Sequence, residues 1–354
     1  MKPVDLRIGP ALVVPVASAP FTGYVEVTAG VISHLGPEPT GTAVATAAAG
    51  RIVIPGLVNT HCHTSQQLGR GLGDDVDLLS WLHDRIWPYE LALTESDAEL
   101  SALVCAIEQI RNGVTLIADP GGRHVDGMAR GLAAAGIRAL LGRSAMDSGD
   151  GRPPGDREST DEVLAAQDEL VGRWHGRDRM RFSYTLRTIL SNLKILGTPR
   201  IADMLDAGVL VGLGTDGAPS NNRMSIIDEM WLAAIVQKGL RRDPTVLPAE
   251  AVLRMATADG ARALGLADVA GTLEVGTAAD LVVIDPLTAN FATAADPVSA
   301  LVTALKTENV ESVLCDGEWL LLERRITRVD EAAVLAEAAG RAAAVRRRAG
   351  LAIS

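Results

Sequence analysis

Aromatic side chains make up only 3% of this 354-residue chain, and it has just six histidines and three cysteines. So few rings leave little to stack single-stranded bases on, and a net charge of −11 repels a phosphate backbone, which excludes nucleic acid as a partner. Cys62, Cys105 and Cys315 are odd in number and widely spaced. They make neither a disulfide framework nor a zinc knuckle, and they fit a reducing, cytoplasmic location. No uncharged apolar run reaches the roughly 18 residues of a membrane helix, and Met1-Lys-Pro-Val-Asp-Leu-Arg-Ile8 has no apolar leader core. Membrane association is therefore not expected.

What is present is a large stock of core residues: 47% of the chain is hydrophobic, enough for one big domain or two modest ones. From Val4 to about Gly50, short β-branched runs alternate with Gly and Pro, and the same texture returns in Gly271–Gly276, Ala279–Ile284 and Val310–Leu320. Residues 1–51 and 269–329 are accordingly read as one small discontinuous β domain. Residues 330–354 are read as a C-terminal helix whose basic end, Arg346-Arg347-Arg348, suits a solvated helix C-terminus.

Between them, residues 52–268 alternate apolar strand-like runs with helical periodicity, the pattern of parallel βα units. The expected strands are Ile52–Asn59, Val114–Asp119, Ile137–Leu141, Arg181–Thr185 and Val209–Gly214. The expected helices are Leu78–Trp87, Glu95–Asn112, Val125–Ala135, Thr160–Trp174 and Ile201–Ala207. Ser159 and Glu162 predict a capping box, and Gly113, Gly136 and Gly208 stand where helices should end. About five strands result, where a closed (β/α) barrel has eight.

One constellation carries chemistry. His61 and His63 alternate at the end of an apolar strand, so both imidazoles can face one ion, and Val209–Gly214 runs into a carboxylate at Asp216. Six histidines would place a His-x-His pair by chance only about 0.1 times in such a chain. Two imidazoles and a carboxylate at strand ends can hold a divalent ion that activates water.

The string Ile54-Pro-Gly-Leu-Val-Asn-Thr-His-Cys-His63 resembles the first-strand motif of the amidohydrolase superfamily. Leu79–Pro88, Gly212–Asn222, Ala256–Gly265, Gly276–Val282 and Val313–Gly317 are similar to the branch holding triazine hydrolases, S-adenosylhomocysteine deaminases and 8-oxoguanine deaminase. That resemblance implies an α/β fold, an amidohydrolase-type (β/α) barrel with a small β domain. It implies one divalent ion, zinc or in its place iron, bound by His61, His63 and Asp216, with Asp216 also taking a proton from the attacking water. The implied reaction is hydrolytic removal of an amino group from a purine-, pterin- or triazine-like ring, a small heterocyclic substrate.

Gln66 matches a position that contacts the substrate ring in this branch. Trp87 could wall the ring pocket, although on a helix it more often packs in the core, and Arg187 could reach a substrate carbonyl or carboxylate.

The sequence also departs from the family. Tyr184–Ser191 resembles the end of the fourth strand, whereas Ser191–Gly197 resembles the segment after the seventh, so a block holding the third ligand histidine and a proton-shuttling glutamate is missing. The barrel is thus expected to be incomplete, with His124 as the best substitute ligand. A non-catalytic remnant is the alternative to an active enzyme. The remaining strands could also pair with a second copy in a homo-oligomer.

Overall fold

The segment Ile52-Val53-Ile54 lies between two cores, and its alternation shows how. Ile52 and Ile54 pack into the larger core, whereas Val53 joins Ile8, Val25, Ile32 and Leu281 in a second one. Val282 and Ile284 alternate with Leu281 and Val283 in the same way, so one sheet presents opposite faces to two apolar masses.

The computed structural model describes residues 4–42, 45–144, 158–184 and 199–351. In chain order its strands are β1 (Leu6–Val13), β2 (Phe21–Thr28), β3 (Val31–Gly36), β4 (Ala45–Ala47), β5 (Ile52–Pro55), β6 (Leu57–Asn59), β7 (Val114–Asp119), β8 (Arg138–Leu141), β9 (Met180–Phe182), β10 (Leu281–Ile284), β11 (Val310–Cys315), β12 (Glu318–Leu322) and β13 (Arg325–Ile326). A nine-stranded sheet runs β13-β12-β11-β10-β5-β1-β2-β3, with β4 beside β1, and so draws on both ends of the chain. Gly271–Gly276, expected as a strand, forms turns, with Leu273 and Gly276 donating to the Pro15 and Ile32 carbonyls.

The second sheet is β6-β7-β8-β9, parallel throughout. Among the described residues it does not close into a barrel. The expected strand Ile52–Asn59 is in fact two strands in two sheets, joined at Gly56. There the Gly56 amide still donates to Asp280 while the next amide, Leu57, donates to Gly113. A Cβ on Gly56 would stand 2.0 Å from the Thr115 hydroxyl oxygen, so only glycine fits the crossing.

Val209–Gly214 is a second correction. It forms no strand, and Val209 and Leu210 are exposed. Its ladder is reduced to Thr60 donating to the Leu213 carbonyl and a parallel bridge between Cys62 and Asp216. A barrel strand is paired on both sides, and here, among the described residues, only the first-strand side supplies a partner.

Helices follow the expected caps more closely. Thr160–Trp174 carries the Ser159/Glu162 capping box, and Val125–Ala135 ends on Gly136 at φ 80°. Leu78–Ala92 is a longer helix than expected, passing through a π turn at Leu82–Ile86. The C-terminal helix, Glu331–Arg348, lies on the Glu95–Arg111 helix. Its Arg341 and Arg348 both reach the buried Asp97, so the basic end is only partly solvated. No helix among the described residues is long and apolar enough to cross a membrane.

Two buried charges tie the layers together. Arg138 on β8 gives Nε and Nη2 to the Asp280 carboxylate, both at 3.1 Å, and the Asp316 amide donates to the same carboxylate at 2.7 Å. Removing one partner from such a pair strands the other in the interior.

Glu26 on β2 shows how strongly a buried carboxylate can be held. Burial acts to raise its pKa. Hydrogen bonds from the Thr40 hydroxyl, Arg7 and the Gly41 and Thr40 amides outweigh that and hold it at about 2, against an ordinary 4.5. A carboxyl whose folded pKa lies below its unfolded one stabilises the fold above the unfolded value and loses that contribution as pH falls through the folded one. Urea denaturation between pH 4.5 and 2 should therefore show stability falling with acid. Glu26→Gln should remove up to about 1.4 kcal/mol per pH unit of that slope.

Candidate metal site

The end of β6 and the segment around Asp216 are joined by one side chain. Asn59, fully buried, donates Nδ2 to Gln109 Oε1 (2.9 Å) and to the Thr215 hydroxyl (2.8 Å), while its Oδ1 accepts from the Thr215 amide (3.2 Å). Gln109 in turn donates to the Met224 carbonyl at 2.8 Å. Backbone contacts complete the join: Asp216 donates to the His61 carbonyl and His63 donates to the Asp216 carbonyl.

This brings three expected ligands together. Asp216 Oδ1 lies 3.5 Å from His61 Nε2 and 3.3 Å from His63 Nε2. One potential ligand atom from each of the three lies within 4.8 Å of the others. Two ligands about 2.1 Å from one ion at a tetrahedral angle stand about 3.4 Å apart, so the observed separations fit a shared zinc-sized cation. Asp216 sits at φ 62°, a left-handed conformation that costs a non-glycine residue energy and is commonest where a site demands it. The Ser220 hydroxyl donates to its other carboxylate oxygen, Oδ2, at 2.8 Å.

Cys62 lies between the two histidines but faces the other way. It is buried with Sγ 3.6 Å from Cys105 Sγ, and that contact, with burial, pushes its thiol well above the usual range. A protonated, buried thiol is a packing group and not a ligand.

No third imidazole joins the group, and all six histidines are described. His124, the expected substitute, stands just before the Val125–Ala135 helix with Nε2 2.8 Å from the Leu93 carbonyl. That contact engages Nε2, and His124 is not in the group that His61, His63 and Asp216 form among the described residues. His34 contacts the Glu38 carbonyl, His83 packs edge-on against Trp87, and His175 accepts from the Phe182 amide.

The expected substrate contacts are placed unequally. Gln66 is 1% exposed, donates Nε2 to Glu90 Oε1 at 2.8 Å, and has a carbonyl oxygen without a donor. That oxygen lies against Gly217, where a Cβ would stand 1.9 Å away. Trp87 is 7% exposed and packs with Trp81, Leu82 and Ile86, as a core residue does. Arg187 lies outside the described residues.

Three contributors escaped the sequence reading. Asn59 and Glu90 act through partners far away in the chain. Asp119 ends β7 and accepts from the Thr64 amide and hydroxyl and from the Gly121 amide, clamping the turn after His63. Burial raises its carboxyl, and those bonds oppose the rise. Its signal was available: a second strand ending on an aspartate.

The amidohydrolase family model matches residues 52–195 and 190–320. The chain belongs to the amidohydrolase family. Being an amidohydrolase by family, it is a hydrolase, and its relatives include deaminases. It is 33% identical over 428 aligned positions to the 5-methylthioadenosine/S-adenosylhomocysteine deaminase of Desulforudis audaxviator, covering 94% of this chain and 97% of that one. It is 30% identical over 369 positions to the 5'-deoxyadenosine deaminase of Methanobrevibacter smithii, covering 80% and 84%. A zinc-bound adenosine deaminase from Xanthomonas campestris superposes with a TM-score of 0.88 at 25% identity, covering 99% of this amidohydrolase and 100% of that chain.

The first alignment carries more information than its identity. Since 94% of 354 residues is about 333, about 95 of its 428 positions have no residue in this chain. The two matched stretches of the family model meet at residues 190–195.

A paired substitution tests the packing at the site. Gly217→Ala should lower stability by about 1–3 kcal/mol in urea denaturation, because the new methyl must displace Gln66. Gly340→Ala, in the C-terminal helix with nothing within 4 Å, should instead stabilise by about 0.5–1 kcal/mol.

Proposed function

We propose that this amidohydrolase is a metal-dependent aminohydrolase acting on a purine-type ring, with His61, His63 and Asp216 holding one divalent ion, zinc before iron. The observation that carries the reading is the approach of both imidazoles to a single oxygen of Asp216, at 3.5 and 3.3 Å. Three protein ligands are the usual number for a catalytic zinc. When bound, such an ion supplies a water acidified toward neutrality.

The chain's own residues do the rest. Asp216 collects the proton of the attacking water, and the Ser220 hydroxyl on Oδ2 keeps Oδ1 turned to the imidazoles. A carbon–oxygen bond forms at the ring carbon, the carbon–nitrogen bond breaks, and the proton leaves with ammonia. Gln66 is the proposed ring contact, since its carbonyl oxygen has no donor of its own and suits the N–H of an amino group on the ring. Arg187 is proposed at the substrate's polar edge. Its buried packing makes Trp87 a support for the helix that carries Glu90 more than a pocket wall. Residues 52–268 form the proposed incomplete barrel, and residues 1–51 with 269–329 the proposed β domain.

The missing positions favour a second reading. An amidohydrolase without a third imidazole and a proton-shuttling glutamate holds metal yet turns over poorly. Loss of a positioned general acid/base costs about 10²–10⁴ in rate.

Purified protein should be reconstituted with zinc, its metal content measured, and ammonia release followed with 5'-methylthioadenosine, S-adenosylhomocysteine, 5'-deoxyadenosine and a diaminotriazine. About one zinc per chain with turnover that Asp216→Asn abolishes supports the first reading. Bound zinc with no release from any substrate leaves the remnant. Absence of bound zinc, or unchanged zinc in a His61→Ala, His63→Ala double variant, sinks the site.

A further inference from the structure

A cleft of about 680 Å³ lies away from the three clustered ligands, none of which lines it. It lies between the Glu95–Arg111 helix, the C-terminal helix and the Asn222–Asp228 segment. Its volume falls in the range of small-molecule sites. Leu68, Val104, Ile107, Leu335 and Ala338 make its apolar floor, and Leu335 is 45% exposed there.

The charges around this floor do not cancel. Arg70 is paired with Glu108, Arg111 with Glu331 and Arg223 with Asp228. Arg346, half-buried on the same wall, has no acidic partner among the described residues. Gln67, also on the wall and 6% exposed, donates Nε2 to Glu108. A carboxylate only accepts, so the amide orientation is forced and Gln67 Oε1 is left without a donor. The cleft thus has one uncompensated cation, an apolar floor and, buried in its wall, one acceptor without a donor.

We propose that this cleft is a binding site for a small amphipathic monocarboxylate with a hydrogen-bond donor beside its carboxylate. One spare guanidinium matches one negative charge, whereas a phosphate dianion would need the arginines that are already neutralised. The donor would meet Gln67 Oε1, and the hydrocarbon would cover Leu335 and Ile107. The inference rests on neither the metal nor turnover.

Calorimetric titration of the full chain with 2-hydroxyoctanoate tests it, with octanoate and 1,2-octanediol as partial probes. One saturable site is expected for 2-hydroxyoctanoate, weaker binding for octanoate, and none for the neutral diol. Arg346→Gln should weaken binding about tenfold or more, as loss of a charge-assisted hydrogen bond does. Leu335→Asp should do likewise, and Arg347→Gln, one residue along but off the cleft, should not. Thermal melts matching the parent show that each variant is folded. No saturable heat with 2-hydroxyoctanoate overturns the proposal, as does parental affinity in Arg346→Gln or an equal loss in Arg347→Gln.

Discussion

Everything in the proposed site depends on the amide of Asn59. A single buried side chain must satisfy groups on the Glu95–Arg111 helix and on the segment that carries Asp216, 156 residues away along the chain. Its two donors and its acceptor are all engaged by protein, so the end of β6 and Thr215 hold one relative position. A leucine there would fill similar space but leave the buried Thr215 amide and the Gln109 carbonyl oxygen unpaired, at about 1–3 kcal/mol for each group. Period-two alternation then does what remains, turning His61 and His63 toward the carboxylate and Cys62 toward Cys105.

The fold rests on a comparable arrangement one layer away. Arg138 and Asp280 are buried opposite charges at the junction of the two sheets, with the Asp316 amide completing the carboxylate's partners. Gly56 lies at the same junction, where the chain leaves one sheet for the other. The nine-stranded sheet is therefore part of what positions the histidines, since β5 enters β6 through a single residue.

Much of this was legible in the sequence because it is local. The Ser159/Glu162 box and the glycine after Val125–Ala135 are short-range chemistry, and they mark their helices closely. His61 and His63 were legible because residues two apart on extended backbone face the same way, and Asp216 because a carboxylate follows an apolar run, although that run forms no strand. What was not legible depends on neighbours distant in sequence. Ile52–Asn59 reads as one apolar run, and only the positions of Gly113 and Asp280 divide it. Val209–Gly214 has the composition of a buried strand, but pairing requires a second flank that composition does not report. The Leu93 carbonyl beside the His124 ring, 31 residues away along the chain, is likewise something that composition does not report.

The parallel bridge between Cys62 and Asp216 has an evolutionary consequence. In a ring of strands the first and last are adjacent, so the three proposed ligands belong to the clasp, while residues from the middle of the chain build the opposite arc. A loss from that arc removes chemistry without unfastening the clasp. Such a chain can keep His61, His63 and Asp216 side by side while the opposite arc shortens.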